Sequence, residues 1–100
     1  MYIAMNRFKI ALGREDDFIE VWRKRESHLD GVPGFKEFHL LRGPSTEEHT
    51  LFASHSVWQS ENAFIAWTHS EAFRKAHAGA GANRDLHLAP PQFEGFEVVL

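Results

Sequence analysis

Residues 2–10 read Tyr-Ile-Ala-Met-Asn-Arg-Phe-Lys-Ile, and this stretch decides the fold. In a β-strand, successive side chains point to opposite faces. The even-numbered positions here are apolar or aromatic except at Asn6, whereas the odd-numbered positions include the charged residues Arg7 and Lys9. This alternation predicts an opening strand over Tyr2–Ile10.

A helix is predicted next, over Arg14–Asp30. Apolar side chains recur there every three or four residues. The acidic run Glu15–Asp17 falls in the first turn, where the helix dipole favours negative charge. Gly31 is the expected C-terminal stop, and Pro33-Gly34 prevents the helix from resuming.

Two strands joined by a short connection follow. Phe35–Arg42 alternates along its length, and His49–Trp58 contains Thr, Val and aromatic residues, which are typical of strands. Between them, Gly43-Pro44-Ser45 supplies residues that are common in turns. The two segments predict a β-hairpin with a loop of a few residues.

The second half of the chain predicts more helix and a last strand. Ser60 is a suitable N-cap for a helix through Thr68, and a second helical run extends from Ser70 through His77. An Ala/Gly-rich segment, 78–83, ends that run, and a loop continues to residue 92. Phe93–Leu100 is the expected final strand.

The predicted order of elements is therefore β-α-β-β-α-β. This order is typical of the ferredoxin-like α+β arrangement, a four-stranded antiparallel sheet with helices on one face. We expect one such domain over residues 1–100. The other sheet face stays bare, and apolar residues on it require a partner, so we expect a homodimer that closes sheet against sheet.

Composition excludes several classes of function. A chain of 100 residues, 43% of them hydrophobic, is one small domain and not a modular enzyme. A net charge of -3 provides no basic surface for nucleic acid. The chain lacks cysteine, so a metal requires His, carboxylate or a tetrapyrrole. Without a signal sequence or an apolar run near the roughly 20 residues of a membrane span, a cytoplasmic protein is expected.

Asn6 is the first candidate functional residue, because it interrupts an apolar stripe on the opening strand. Burying a primary amide without a hydrogen-bond partner costs roughly 1–3 kcal/mol. The side chain therefore bonds to the backbone or faces something polar in a pocket. Spacing alone favours a structural Asn with satisfied hydrogen bonds.

Trp67 and His77 are the second feature, ten residues apart with Phe64 and Phe73 nearby. Phe73 and His77 share a helix face. A neutral imidazole at a helix end, followed by a loop of small residues that lets a flat ligand approach, is what a proximal haem ligand requires. The alternatives are a surface or capping His77 and a core Trp67.

The remaining histidines give weaker signals. His39 and His55 lie on candidate neighbouring strands and are able to share a metal, but no third ligand has matching spacing, so we interpret the pair as structural. The others are expected to be solvated, near helix ends, turns or loops: His28, His49, His69 and His87.

Three parts of the sequence together carry a family resemblance. They are Ala4-Met-Asn6-Arg-Phe8, then Val57-Trp-Gln-Ser-Glu61 leading to Phe64-Ile-Ala-Trp67, and Ser70-Glu-Ala-Phe73-Arg-Lys-Ala-His77. They resemble the IsdG-type haem-degrading monooxygenases of the antibiotic-biosynthesis-monooxygenase superfamily. The closest likeness is to the haem-degrading enzymes of rhizobial haem-uptake systems, through His39–Leu41, Ala53–His55 and Pro91–Phe96.

The resemblance implies a dimeric α/β barrel and a functional triad on Asn6, Trp67 and His77. It implies that His77 ligates the haem iron from the proximal side, while Asn6 donates its amide proton to the ligand on the distal side. Trp67 is then expected to press the porphyrin out of plane, which brings a meso carbon towards that ligand. Trp22 is expected to add pocket wall, and Arg84 to meet a propionate.

The activity so implied is a haem oxygenase reaction, with haem as both substrate and cofactor. O2 opens the ring at a meso carbon, giving a bilin-type product and releasing iron. The chain has no recognisable nicotinamide or flavin motif, so the electrons are expected from a reductase or a small reductant. Two alternatives stay open: a cofactor-independent quinol-type monooxygenase of the same fold, and a non-catalytic haem-binding or carrier protein.

Overall fold

The structure is a computed structural model that describes residues 1–24, 29, 31–76 and 85–100. Its elements are β1 (Tyr2–Ala11), α1 (Glu15–Lys24), β2 (Phe35–Ser45), β3 (His49–Trp58), α2 (Glu61–Thr68), α3 (Glu71–Ala76) and β4 (Gln92–Glu97). The predicted order of elements is confirmed, with the second helical region divided in two. None of the helices in these ranges is long and apolar enough to cross a membrane.

The four strands form one antiparallel sheet in the order β2-β3-β1-β4. This is the expected ferredoxin-like α+β topology, with β1 paired on both of its edges. Because side chains alternate along a strand, the even-numbered residues of β1 share one face with the even-numbered residues of β3. The helices pack on that face, which we call the helix face.

The predicted turn at Gly43-Pro44-Ser45 is wrong, because β2 continues through Ser45. Its register shifts between Arg42 and Ser45, and Ser45 still pairs with Thr50. Pro44 lies on an edge strand and within this irregularity, two places where a sheet accepts proline. The turn lies at residues 46–48, closed by a 2.7 Å hydrogen bond from the Thr46 amide to the His49 carbonyl.

Two further boundaries differ from the prediction. The described part of α1 ends at Lys24, residues 25–28 and 30 lie outside the described residues, and Leu29 is buried but not helical. The last strand ends at Glu97 and not at Leu100. Glu97 pairs with Tyr2, the first residue of β1, so residues 98–100 have no further strand residue to pair with.

Among the described residues, the hydrophobic core on the helix face contains two clusters. The α1 cluster contains Phe8, Ile10, Phe18, Phe52 and Leu86, with residues of α1 packed on it. The α2 cluster contains Tyr2, Ala4, Leu29 and Trp58, with residues of α2 packed on it. Each helix therefore covers its own part of the sheet.

A hydrogen-bonded chain attaches the start of α1 to the sheet. Thr50 is fully buried, and its hydroxyl donates to Glu15 Oε2 at 2.7 Å. The oxygens of Ser45 and Thr50 lie 2.7 Å apart, and Ser45 donates because a carboxylate only accepts the Thr50 proton. The Thr50 hydrogen bond is the main cause that lowers the pKa of the Glu15 carboxyl. The resulting negative charge also suits the first turn of a helix.

His87 does not lie in solvent as the sequence suggested. It forms an isolated β-bridge with Ile10, and its ring centroid lies 5.8 Å from that of Phe8 and 5.6 Å from that of Phe18. The preceding Leu86 is 2% exposed and belongs to the α1 cluster. The segment after residue 84 therefore returns to the sheet and completes the core, which its composition did not indicate.

The opposite sheet face carries no helix in the described ranges, and we call it the open face. Leu41 and Phe96 on this face are 40% and 46% exposed. Arg7 and Glu94 form an ion pair across it. Its apolar residues include Ile3, Met5, Leu41, Leu51, Ala53, Val57 and Phe96.

Substitution of Gly34 tests how closely α2 approaches the sheet. Gly34 has φ +82°, and a Cβ at this position would lie 2.5 Å from the Cβ of Ala63 on α2. We expect Gly34→Ala to lower the free energy of unfolding by about 3 kcal/mol or more, combining backbone strain and overlap. Urea denaturation measures the loss.

Gly13→Ala is the matched control. Gly13 has a similar φ of +84°, but a Cβ there meets nothing within 4 Å. This variant should lose only the backbone contribution, about 1–2 kcal/mol. Equal losses in the two variants would show that Ala63 does not approach Gly34 this closely in solution.

Candidate functional site

Asn6 lies on the helix face between the two core clusters. On β1 it is flanked by Ala4 of the α2 cluster and Phe8 of the α1 cluster. Its side chain is half-buried, and no hydrogen bond within the described ranges reaches its amide. A fully buried Asn requires such a partner, but the amide of Asn6 is not among the buried unpartnered atoms of the described residues. The structural interpretation that spacing alone favoured therefore stays a prediction.

Ser54 on β3 is the direct cross-strand partner of Asn6 and shares its face. It is 7% exposed, and it takes part in no side-chain hydrogen bond within the described ranges. We call Asn6 and Ser54 together the polar gap. The polar gap is a pair of polar residues on the helix face that belongs to neither cluster.

The other hydroxyl groups on the same face of β3 behave differently. Thr50 bonds to Glu15, as described above. Ser56 donates to the carbonyl of Ala4 at 3.3 Å and accepts from the indole Nε1 of Trp58 at 2.9 Å. The hydroxyls of Thr50 and Ser56 therefore have hydrogen-bond partners within the fold, whereas none of the described residues bonds to the hydroxyl of Ser54.

Trp67 lies in the last turn of α2 and is held by aromatic rings on two sides. Its ring centroid is 5.3 Å from that of Trp58 in the sheet. Phe73 of α3 meets it edge-on at 4.8 Å, with an interplanar angle of 86°. The half-buried indole thus has restricted freedom to move, and it links α2, α3 and β3.

A row of rings connects Trp67 with the polar gap. Trp67 lies 6.1 Å from Phe64, and Phe64 stacks on Phe93 at 5.6 Å and 6°. Phe93 is the cross-strand partner of Asn6 on β4, and it is 51% exposed although it lies on the helix face. The structure therefore brings Asn6 and Trp67 to the same region through two intervening phenylalanines.

Trp22 borders the polar gap from the α1 side. Its ring is 5.9 Å from that of Phe8, the residue that follows Asn6 on the helix face. It also stacks on Phe38 of β2 at 5.6 Å and 22°. Since Phe38 packs against the α2 cluster, this contact joins the two clusters on the β2 side. The half-exposed Phe93 marks the opposite, β4 side.

Ser54 and Phe93 are site residues that sequence reasoning missed. A signal for Ser54 existed, because Thr50, Phe52, Ser54, Ser56 and Trp58 form one stripe of alternate residues in which polar groups recur. That pattern does not show which hydroxyl lies opposite Asn6. Phe93 was predicted only as the start of a strand.

The described side chains that frame the polar gap carry no titratable group. The resolved pKa shifts lie elsewhere: burial, and then the charges of Glu61 and Glu97, raise the pKa of Tyr2. A hydrogen bond to Asp17 is the main cause that raises the pKa of Arg14. The chemistry available at the gap is therefore hydrogen bonding by an amide and a hydroxyl.

Two predicted contacts, His77 and Arg84, lie outside the described residues. His39 and His55 are paired across β2 and β3 on the open face, as expected, with ring centroids 6.4 Å apart. Over residues 1–24, 29, 31–76 and 85–100, no three His, Asp or Glu side chains group closely enough to hold a metal ion.

The chain matches a known protein family and enzymes of that family. A family model described as antibiotic biosynthesis monooxygenase matches residues 1–79. The heme oxygenase (mycobilin-producing) of Mycobacterium tuberculosis strain H37Rv is 32% identical over 81 residues, which are 81% of this chain and 74% of the relative. The protein of that name from strain CDC 1551 gives the same values.

Solved structures match over the whole chain. A MhuD variant crystallised with two manganese protoporphyrin IX molecules per active site is 29% identical, with a TM-score of 0.78, and the match covers 100% of this chain and 96% of that one. MhuD from Mycobacterium tuberculosis with two hemes bound is 31% identical, with a TM-score of 0.76, and the match covers 100% of this chain and 97% of that one. SnoaB, a cofactor-independent oxygenase from Streptomyces nogalater, shares the fold at 23% identity and a TM-score of 0.70, covering 97% of this chain and 91% of SnoaB.

Replacement of Asn6 distinguishes a structural amide from one that is available to a ligand. We expect Asn6→Leu, of similar size, to leave the free energy of unfolding unchanged or to raise it, because a half-buried amide without a described partner is removed. Thermal and urea denaturation measure this.

Ser56→Ala is the control on the same sheet face. It leaves the Trp58 indole N–H and the Ala4 carbonyl without the hydroxyl, so a loss of about 1–3 kcal/mol is expected. A loss in Asn6→Leu as large as that in Ser56→Ala would assign Asn6 a structural role.

Proposed function

Because the chain belongs to the antibiotic biosynthesis monooxygenase family, we propose that it is a haem-degrading monooxygenase. In this proposal it binds haem as substrate and cofactor and opens the porphyrin at a meso carbon with O2 and external electrons. The products are a bilin-type tetrapyrrole and released iron. The similarity to a heme oxygenase at 32% identity supports this choice among the reactions of the family.

The observation that carries the proposal is the polar gap and its aromatic surroundings. A haem needs flat apolar contacts for its macrocycle and a polar group at the axial position of its iron. Trp22, Phe64, Trp67 and Phe93 supply aromatic surface on both sides of the gap. Asn6 supplies an amide that forms no hydrogen bond with a described residue. The residues present fit this ligand.

Haem, when bound, supplies the iron that activates O2, and it is itself the molecule that is oxidised. The roles of the chain are then binding and orientation. His77, which directly follows α3 in the sequence, is the proposed iron ligand. Asn6 on β1 is the proposed hydrogen-bond donor on the opposite side. Its place in a paired central strand fixes the sheet face from which its side chain projects.

Trp67 is the residue that we propose distorts the porphyrin. A side chain bends another ring only if it is itself held in place. Contacts with Trp58 at 5.3 Å and Phe73 at 4.8 Å restrain Trp67 from the sheet and from α3. The strain energy required for distortion is then available from binding of the rest of the ligand.

Further parts of the proposal concern secondary contacts and context. Trp22 forms pocket wall, in keeping with its position between the clusters, and Arg84 meets a propionate. The likeness of residues 39–41, 53–55 and 91–96 to the haem-degrading enzymes of rhizobial haem-uptake systems supports a haem-degrading activity of the same type. We also propose a single domain over residues 1–100 in the cytoplasm, supplied with electrons by a reductase or a small reductant.

We propose that the open face binds a second copy of the chain, which gives a dimeric barrel. Its apolar residues include Leu41 on β2 and Phe96 on β4, the two edge strands, at 40% and 46% exposure. Charges of both signs, including Arg7 and Glu94, lie on the same face. A face that combines exposed apolar residues with charges of both signs is suited to an isologous contact, in which each copy presents the same patch.

Haem binding and turnover test the proposed activity. Haem added to the purified protein should produce a shifted Soret band. Ascorbate and O2, with catalase present to remove free peroxide, should then bleach the band and release iron to a ferrous chelator. A Soret band that persists with every reductant supports a carrier, and oxygenation of a quinol without haem supports the cofactor-independent alternative. Either result contradicts the proposal.

Variants assign the roles within that assay. His77→Ala should change the haem spectrum and abolish turnover. Trp67→Phe should still bind haem but degrade it about tenfold more slowly, because the smaller ring distorts less. Trp22→Phe is the matched control, expected to weaken haem binding while turnover at saturation persists. Undiminished turnover in Trp67→Phe would remove distortion from the mechanism.

The dimer is tested with charges on the open face. Leu41→Glu should convert the protein to a monomer in sedimentation or light-scattering measurements, since it replaces an exposed apolar residue of the open face by a carboxylate. Leu12→Glu, at a residue that is 46% exposed but lies outside the strands, is the control and should remain dimeric. A dimer in both variants would place the contact elsewhere.

A further inference from the structure

Ser54 is a polar residue of the core that the proposed mechanism has not used. Only two buried polar residues occur in the described ranges, Thr50 and Ser54. Thr50 has a structural explanation, because it attaches Glu15 to the sheet. Burial of a hydroxyl without a partner is unfavourable. Ser54 is 7% exposed, yet its Oγ is not one of the buried unpartnered side-chain atoms of the described residues, so the hydroxyl is not sealed inside the core and borders the polar gap.

The register places Ser54 directly beside Asn6. Directly opposed side chains on neighbouring antiparallel strands have Cβ atoms about 4.5–5.5 Å apart. Asn6 and Ser54 are such a pair, and both project from the helix face. Two polar groups at this separation are able to contact one small molecule simultaneously.

The chemistry of the pair defines the ligand that it accepts. The amide of Asn6 offers two N–H donors, and the rotatable hydroxyl of Ser54 offers one donor and an acceptor. The described side chains that frame the gap carry no charge. The site is therefore suited to a ligand of two or three atoms that is neutral or singly negative and is recognised by hydrogen bonds.

We propose that Ser54 is a second binding residue for the small ligand on the distal side of the haem. Its hydroxyl acts together with the Asn6 amide, so that two donors orient the ligand where one was expected. This inference rests on the proposed haem-binding function and adds a residue to its site.

Azide binding to the ferric haem complex tests the inference without turnover. We expect Ser54→Ala to weaken azide affinity about three- to tenfold, the effect of losing one hydrogen bond. Haem affinity, measured from tryptophan fluorescence quenching, and the free energy of unfolding should stay unchanged. Ser54→Cys, of nearly the same volume but with a weaker donor, should show the same weakening.

Ser56→Ala is the matched control, since Ser56 has partners within the fold. It should lose stability and keep wild-type azide affinity, the reverse of the Ser54 pattern. If the wild-type protein binds and degrades haem while Ser54→Ala and Ser54→Cys bind azide normally, this inference is wrong and the proposed function stands. If the wild-type protein binds no haem, both are wrong.

Discussion

The register of β1 against β3 and β4 is the constraint on which the rest of the structure depends. β1 is paired with β3 along its whole length and with β4 over residues 2–7, so the side chains of residues 2–7 have fixed neighbours on two strands. A shift of one residue would move every side chain to the opposite face. Asn6 would then project from the open face, away from Trp67 and Ser54, and Phe8 and Ile10 would leave the core.

A second consequence of this register is the division of the core. Phe8 and Ile10 join the α1 cluster, whereas Tyr2 and Ala4 join the α2 cluster, and Asn6 lies between them. Each cluster packs well on its own helix, so stability does not require the gap to be filled by protein. The same arrangement leaves the amide of Asn6 half-buried and without a hydrogen bond to a described residue. The walls on either side are aromatic and held in place by further rings.

Much of the architecture was accessible from the sequence, because local patterns decide the type of each element. The alternation in residues 2–10 and the spacing of apolar residues after residue 14 gave the correct strand and helix, and thus the topology. The errors occurred where a neighbouring strand determines the outcome. β2 continues past Pro44 because it is an edge strand, β4 ends where its partner begins, and the bridge from His87 to Ile10 joins residues far apart in the chain.

The sequence by itself determined that an amide interrupts an apolar strand, and that Trp67 lies in a second helical region. Both facts follow from single residues within regular patterns. His77 lies outside the described residues, so its role stays a prediction. Only the tertiary structure decided that Ser54 and Phe93 are the neighbours of Asn6, because pairing between distant strands depends on the register and not on local composition. It also decided that other hydroxyls on this face have partners, which distinguishes a structural polar group from one that is available to a ligand.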